Sequence, residues 1–174
     1  ERVFFVAVRN DIDVPPLKLA PTHRWVSAGE ATSDVQVLTD EEKHDSRPRE
    51  SDLLWWKDTP QGESYGKAVA KVRGKESLFQ HARLHQSRPA PTLSANSHVF
   101  THWSECRKLT YREWKRLGSF PDDYHAKTDK IGKYMIGMSV PPKMTEQVAR
   151  AVCEQWLNVN YSELSNDNQA KNTD

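Results

Sequence analysis

The residues of this chain whose types could do chemistry are two thiols and a run of basic side chains. Cys106 follows Glu105 and Cys153 follows Val152. They form no recognisable metal or disulfide framework, and reduced, cytoplasmic thiols are the simple reading. Cys153 lies beside the apolar stripe of a C-terminal helix, where a small packing residue is expected. Cys106 has no base in sight. Lys57, Lys67, Lys71, Arg73, Lys75 and Arg83 make one segment locally basic, offset in part by Asp58, Glu63 and Glu76. Such a patch could neutralise phosphates; a solvated helix face carries the same charges.

The elements that must position these residues are modest. Only 36% of the 174 residues are hydrophobic, and mean hydropathy is -0.82. Typical globular domains are roughly 45–50% apolar. A net charge of +1 says little about partners. No apolar run approaches the roughly 20 residues of a membrane span, and no signal peptide is visible. Val3 to Val8 is a continuous apolar run and reads as a buried strand. It is the one good candidate for a parallel sheet, so the chain, which starts at Glu1, reads as part of a longer protein. Pro15-Pro16 closes regular structure after it.

Further along, Ser27 to Val35 reads as a short helix and Thr39 to Pro48 as a charged surface loop. Glu50 to Lys57 reads as a helix with Leu53, Leu54 and either Trp55 or Trp56 facing inward. Glu63 to Arg73 is a helix candidate with Gly74 as its C-cap. Ser77 to Leu84 and Thr92 to Ala95 read as short strands. Thr110-Tyr111-Arg112-Glu113 is a capping box, predicting a helix that ends near Gly118. Lys143 to Leu157 is a last helix, with Val148, Val152 and Trp156 on one stripe. Ser162 to Asp174 is low in apolar content and reads as disordered.

The segment from Arg107 to Asp123, with R-x-L-T-x-R-E-x-x-R-L-x-x-F-P-D spacing, resembles the ninth motif of DNA cytosine-5 methyltransferases. Ile136 to Pro142 is similar to their tenth motif, G-N-[AS]-V-P-P, with Met138 in place of the Asn. Arg2 to Asp11 looks like the second half of the eighth. Pro91-Thr92-Leu93-Ser94-Ala95 resembles the element that closes the family's target recognition domain. Arg83-Leu84-His85 and His102-Trp103 resemble phage and prophage members in particular.

The resemblance implies an α/β fold. The chain would be the C-terminal part of a Rossmann-like methyltransferase dependent on S-adenosylmethionine, with a small, irregular α+β recognition domain. Residues 1–20 would end the catalytic sheet and 21–104 would form the recognition domain. Residues 105–160 would carry motifs nine and ten, and 161–174 a disordered tail. Arg2 would hydrogen-bond the flipped cytosine. Gly137, Ser139 and Val140 would meet the cofactor, Gly137 because it lacks a Cβ and permits close approach. Met138 would lose any contact of the family's Asn. Thr92 and Leu93 would lie near double-stranded DNA, with Arg73, Lys75, Arg83 and Arg88 as further candidates. Arg107, Glu113 and Arg116 would make a structural ion-pair and capping network.

Cytosine-5 chemistry needs a thiolate to attack C6 and an acid at N3. The family's Pro-Cys-Gln, Glu-Asn-Val and Phe-x-Gly-x-Gly segments are not in this sequence. The chain alone is therefore expected to be inactive. The missing catalytic region would be supplied in cis or as a second subunit. The alternative is a non-catalytic DNA-binding module; a retained cofactor motif favours the enzyme.

Overall fold

The computed structural model describes residues 3–20, 24–35, 37–74, 81–96 and 99–157. The chain divides into two compact units, one of Trp25–Pro141 and one of Glu1–Arg24 with Pro142–Asp174.

In the larger unit, α1 (Ala28–Ala31), α2 (Asp40–Asp45), α3 (Glu50–Trp55) and α4 (Tyr65–Arg73) precede β1 (Ala82–Arg83) and β2 (Phe100–Thr101). Helices α5 (Tyr111–Leu117) and α6 (Asp129–Met138) follow. β1 and β2 are parallel, with Ala82 opposite Phe100 and Arg83 opposite Thr101. Antiparallel bridges from Ser64 to Ala82 and from Thr101 to Lys108 widen this small ladder. Its backbone bonds include Ala82 N–H to the Val99 carbonyl at 2.8 Å and Leu84 N–H to that of Thr101 at 3.0 Å. The mixture of helix and small sheet is compatible with an α/β class.

The core is built on Ala28, Leu84, Phe100, Trp103, Leu109, Tyr111, Trp114 and Ile136. Helix α5 starts as its capping box requires: Thr110 Oγ accepts from Glu113 N–H, and the Glu113 carboxylate accepts from Thr110 N–H. Tyr111, Trp114 and Gly118 then recur at i, i+3 and i+7 on its buried stripe. The stop is less usual. Ser119, not a glycine, takes the positive φ of 57° after the helix. Gly118 is needed one position earlier, where a Cβ would come within 3.0 Å of both Ile136 and Phe120.

Several sequence expectations change here. Residues 39–48 do not form only a loop: α2 lies within them, started by a second capping box between Thr39 and Glu42. Leu53 and Leu54 face outward at 61% and 66% exposure, while Asp52 is buried. Arg49 explains this, since its guanidinium and backbone N–H all donate to the Asp52 carboxylate. Thr92–Ala95 forms no strand, and of Ser77–Leu84 only Ala82–Arg83 is one; residues 75–80 lie outside those described. The predicted α4 and its Gly74 cap hold, with Gly74 at φ 66°.

In the smaller unit, α7 (Pro142–Trp156) holds an extended segment. The Gln155 amide bonds both the N–H and the carbonyl of Lys18, and Trp156 Nε1 donates to the Pro15 carbonyl at 2.8 Å. Val148, Val152 and Trp156 are half-buried. The expected buried strand at Val3–Val8 is not a strand, and Phe5 is 96% exposed. A strand's backbone groups are satisfied by a neighbouring strand, and among the described residues none lies beside this run. Residues 158–174, with the expected tail, are outside those described. No described helix is long and apolar enough to cross a membrane.

Candidate functional site

Helix α5 is the hub from which the site is built. Arg107 reaches Glu113 through two parallel bonds of 2.8 Å, and both side chains are buried. Burial alone would make the guanidinium less basic, but Glu113 and Glu105 raise its pKa overall. His102 lies beside the pair, with Nε2 3.8 Å from Glu113 and the ring stacked on Trp103. Its Nδ1 accepts from the Ser104 and Glu105 N–H groups. Burial, then the Arg107 charge, lowers the His102 pKa to about 4. The imidazole is therefore a neutral structural acceptor.

Two arms leave the hub. Arg112 pairs with Glu42 at 2.6 and 2.8 Å and bonds the Val37 carbonyl, fastening α2 to α5. Arg116 pairs with Asp34 and with Asp122. The Arg112 bonds pull the Glu42 carboxyl below its usual range, and Arg116 does the same to Asp34. Of the expected Arg107–Glu113–Arg116 network, the Arg107–Glu113 pair and cap are present, while Arg116 makes a separate pair with Asp34 and Asp122.

The candidate DNA residues divide. Arg83 does not offer its guanidinium to a partner outside the chain. Nε and Nη2 donate to the Trp103 carbonyl, and Nη1 donates to those of Thr59 and Trp56. The group also stacks 3.8 Å from the Trp56 ring centroid. Arg83 acts structurally in this chain, its guanidinium satisfying the carbonyls of Trp103, Thr59 and Trp56 from below the turn. Arg73 is exposed at the end of α4, 5.7 Å from the Trp55 ring centroid. Arg88 is exposed, as is Thr92, while Leu93 packs half-buried against the core. Lys75 and Arg2 lie outside the described residues.

The loop bearing Arg88 is pinned. Ala28 N–H bonds the Arg88 carbonyl at 2.8 Å, and Gly29 N–H bonds that of Gln86 at 2.9 Å. Gln86 N–H donates to Gln61 Oε1, and Ser87 N–H to His85 Nδ1. The backbone is fixed while Gln86, Ser87 and Arg88 stay exposed. Sequence reasoning did not single out Gln86, although a signal existed. No Asp or Glu occurs between Glu76 and Glu105, in a chain with 24 acidic residues. A polyanion meets no like charge from this stretch.

The candidate cofactor residues stand at the end of α6. Ser139 closes the helix, its hydroxyl donating to the Met135 carbonyl at 2.7 Å and its N–H to the Met135 and Ile136 carbonyls. Ser139 and Val140 are half-buried. Gly137 is buried and does permit a close backbone approach, but the approaching backbone is that of Ser94 and Ala95. Met138 is 64% exposed. Cys106 and Cys153 are half-buried free thiols, and burial pushes the Cys106 pKa up, away from a reactive thiolate. No group of His, Cys, Asp or Glu among the described residues could hold a metal ion.

Residues 1–154 match the family model described as C-5 cytosine-specific DNA methylase. The chain belongs to this family. It is 29% identical over 178 residues to the Type II methyltransferase M.BbvI of Brevibacillus brevis, covering 94% of this chain and 47% of that protein. Identity to the Type II methyltransferase M.NgoFVII of Neisseria gonorrhoeae is 29% over 174 residues, covering 87% and 45%. To the Type II methyltransferase M.AquIB of Picosynechococcus sp. it is 34% over 92 residues, covering 45% and 66%. The chain thus spans about half the length of the first two relatives.

Proposed function

We propose that this methylase-family chain is the DNA-reading part of a restriction–modification cytosine-5 methyltransferase. The assembled enzyme transfers the methyl group of S-adenosylmethionine to C5 of cytosine within a specific duplex sequence. The family match over residues 1–154 carries this reading.

The nucleophile comes from a Rossmann-like catalytic region outside this chain, since neither Cys106 nor Cys153 stands in the family's Pro-Cys context. That region is supplied in cis or as a second subunit. The Picosynechococcus relative supports the second route: 92 aligned residues make up 66% of it, so it is itself a short chain.

The pinned loop at 85–88 and the segment at Thr92–Leu93 face the DNA. Arg88 suits a guanine edge, which accepts two hydrogen bonds from a guanidinium, and Arg73 suits a phosphate. The equivalence of Arg2 to the family's base-holding arginine rests on the resemblance alone.

Ser139 and Val140 fit one end of the cofactor. The hydroxyl oxygen and carbonyl of Ser139 remain acceptors for an ammonium, since its N–H and hydroxyl proton are spent within α6. The Val140 N–H would suit a carboxylate. The cofactor supplies an electrophilic methyl group, and these residues would hold its amino-acid end. DNA methylation would take place in the cytoplasm.

A methylation assay with tritiated donor tests the proposal. The isolated chain should transfer nothing, and adding the catalytic region should restore transfer to unmethylated DNA. Turnover by the isolated chain would overturn the division of labour. Sequence-specific DNA binding without restored transfer would favour a non-catalytic DNA-binding module.

A further inference from the structure

We propose that Gly137 is a positioning residue for DNA recognition: its bare Cα seats the backbone of Ser94 and Ala95, and so fixes where Thr92 and Leu93 stand. This rests on the reading above of residues 92–93 as DNA-facing. A Cβ at Gly137 would lie 2.1 Å from the Ser94 carbonyl oxygen, 2.2 Å from its carbon and 2.5 Å from Ala95 N. All three are backbone atoms, so no rotamer change can move them aside.

Helix α6 has no room to retreat. Ile136 is in the core, and its Cγ2 stands 3.0 Å from where a Cβ on Gly118 would be. Five residues before Gly137, Gly132 leaves space for the Tyr111 ring, whose hydroxyl is bonded to the Tyr124 carbonyl. The helix is therefore held against α5, and a side chain at 137 must drive the 94–95 segment outward by about an ångström. Leu93 packs on the core immediately before that segment, and exposed Thr92 precedes it. The displacement would therefore be delivered to the residues proposed to meet DNA. Two glycines of one helix thus have different duties: Gly132 accommodates a ring, and Gly137 sets a loop.

This duty differs measurably from the cofactor contact that the resemblance suggests for Gly137. In the assembled enzyme, G137A should raise KM for unmethylated plasmid DNA at least tenfold and leave KM for S-adenosylmethionine within twofold. G132A introduces a packing defect in the same helix and should lower the melting temperature without separating the two KM values. A raised cofactor KM with an unchanged DNA KM would overturn the proposal, as would lost stability with both KM values unchanged.

Should G137A not fold, hydrogen exchange on the unmutated enzyme decides. DNA should slow exchange at residues 135–138 together with 92–95, and S-adenosylmethionine alone should not. The reverse pattern overturns the proposal. An unmutated assembled enzyme that methylates no DNA overturns the proposed function itself, and this inference with it.

Discussion

The unit Trp25–Pro141 buries Glu113, Arg107, Asp52 and Thr101, while the segment at residues 3–8 leaves Val3 and Phe5 open to solvent. A hydropathy scale would reverse that assignment. What decides burial is the availability of partners. Glu113 has two guanidinium bonds, a backbone N–H and a cap. The Val3–Val8 run has no neighbouring strand among the described residues. A polar group with its bonds made can be buried, and an extended apolar run whose backbone groups lack a strand partner stays open here.

The sharpest way to break this contrast is at Glu113. E113Q keeps the shape but removes the buried counter-charge of Arg107, leaving only the exposed Glu105 carboxylate beside it. Removing one partner of a buried pair costs about 3–5 kcal/mol. We expect a loss of this order in urea unfolding of the chain. Arg116 reaches Asp34 and Asp122 near the surface, where exposed pairs are worth roughly 0.2–1 kcal/mol. D34N should therefore cost several times less than E113Q. Equal costs would show that the buried pair is not the hub.

The next effect is on pH. His102 has a folded pKa of about 4, below its usual value of 6.5. The fold favours the neutral ring, so the unfolded chain binds more protons between those values. Stability from this group is complete above pH 6.5 and is lost as pH falls towards 4. The loss is on the order of 3 kcal/mol at most, since each pKa unit is worth about 1.4 kcal/mol. H102N keeps an acceptor in place of Nδ1 and removes the titration. Its melting temperature should fall less than that of the unmutated chain between pH 7 and pH 4.5.

The sequence made some of this legible, for identifiable reasons. The start of α5 and the Gly74 stop of α4 are written in local chemistry that needs no knowledge of the rest of the chain. Helix α2 carries the same signal, Thr39-x-x-Glu42, but lacks an apolar stripe. It is fastened by Arg112, 70 residues away. Helix α6 was not expected, although Thr128 caps it; its last residues, Ile136 to Met138, begin the stretch that resembles the tenth motif. Arg83 could not be distinguished from a DNA contact, because the carbonyls it serves belong to Trp56, Thr59 and Trp103. For the same reason the partner of Gly137 was illegible: a glycine announces that something approaches, not what.

The smallest expected effect probes the other side of the contrast. In the isolated chain, F5S should change stability by less than about 0.5 kcal/mol, since substitutions of exposed side chains away from special features rarely do more. Phe5 at 96% exposure has no packing to lose. The same change in the assembled enzyme should behave differently if residues 3–8 become a strand once a neighbour is supplied. Burying such a side chain is worth about 1.5–3 kcal/mol, and F5S should then cost a comparable amount. Equal and negligible costs in both settings would mean that the run stays open even with its catalytic region present. An apolar stretch that is exposed alone and costly to change in the assembly would be a strand waiting for its sheet.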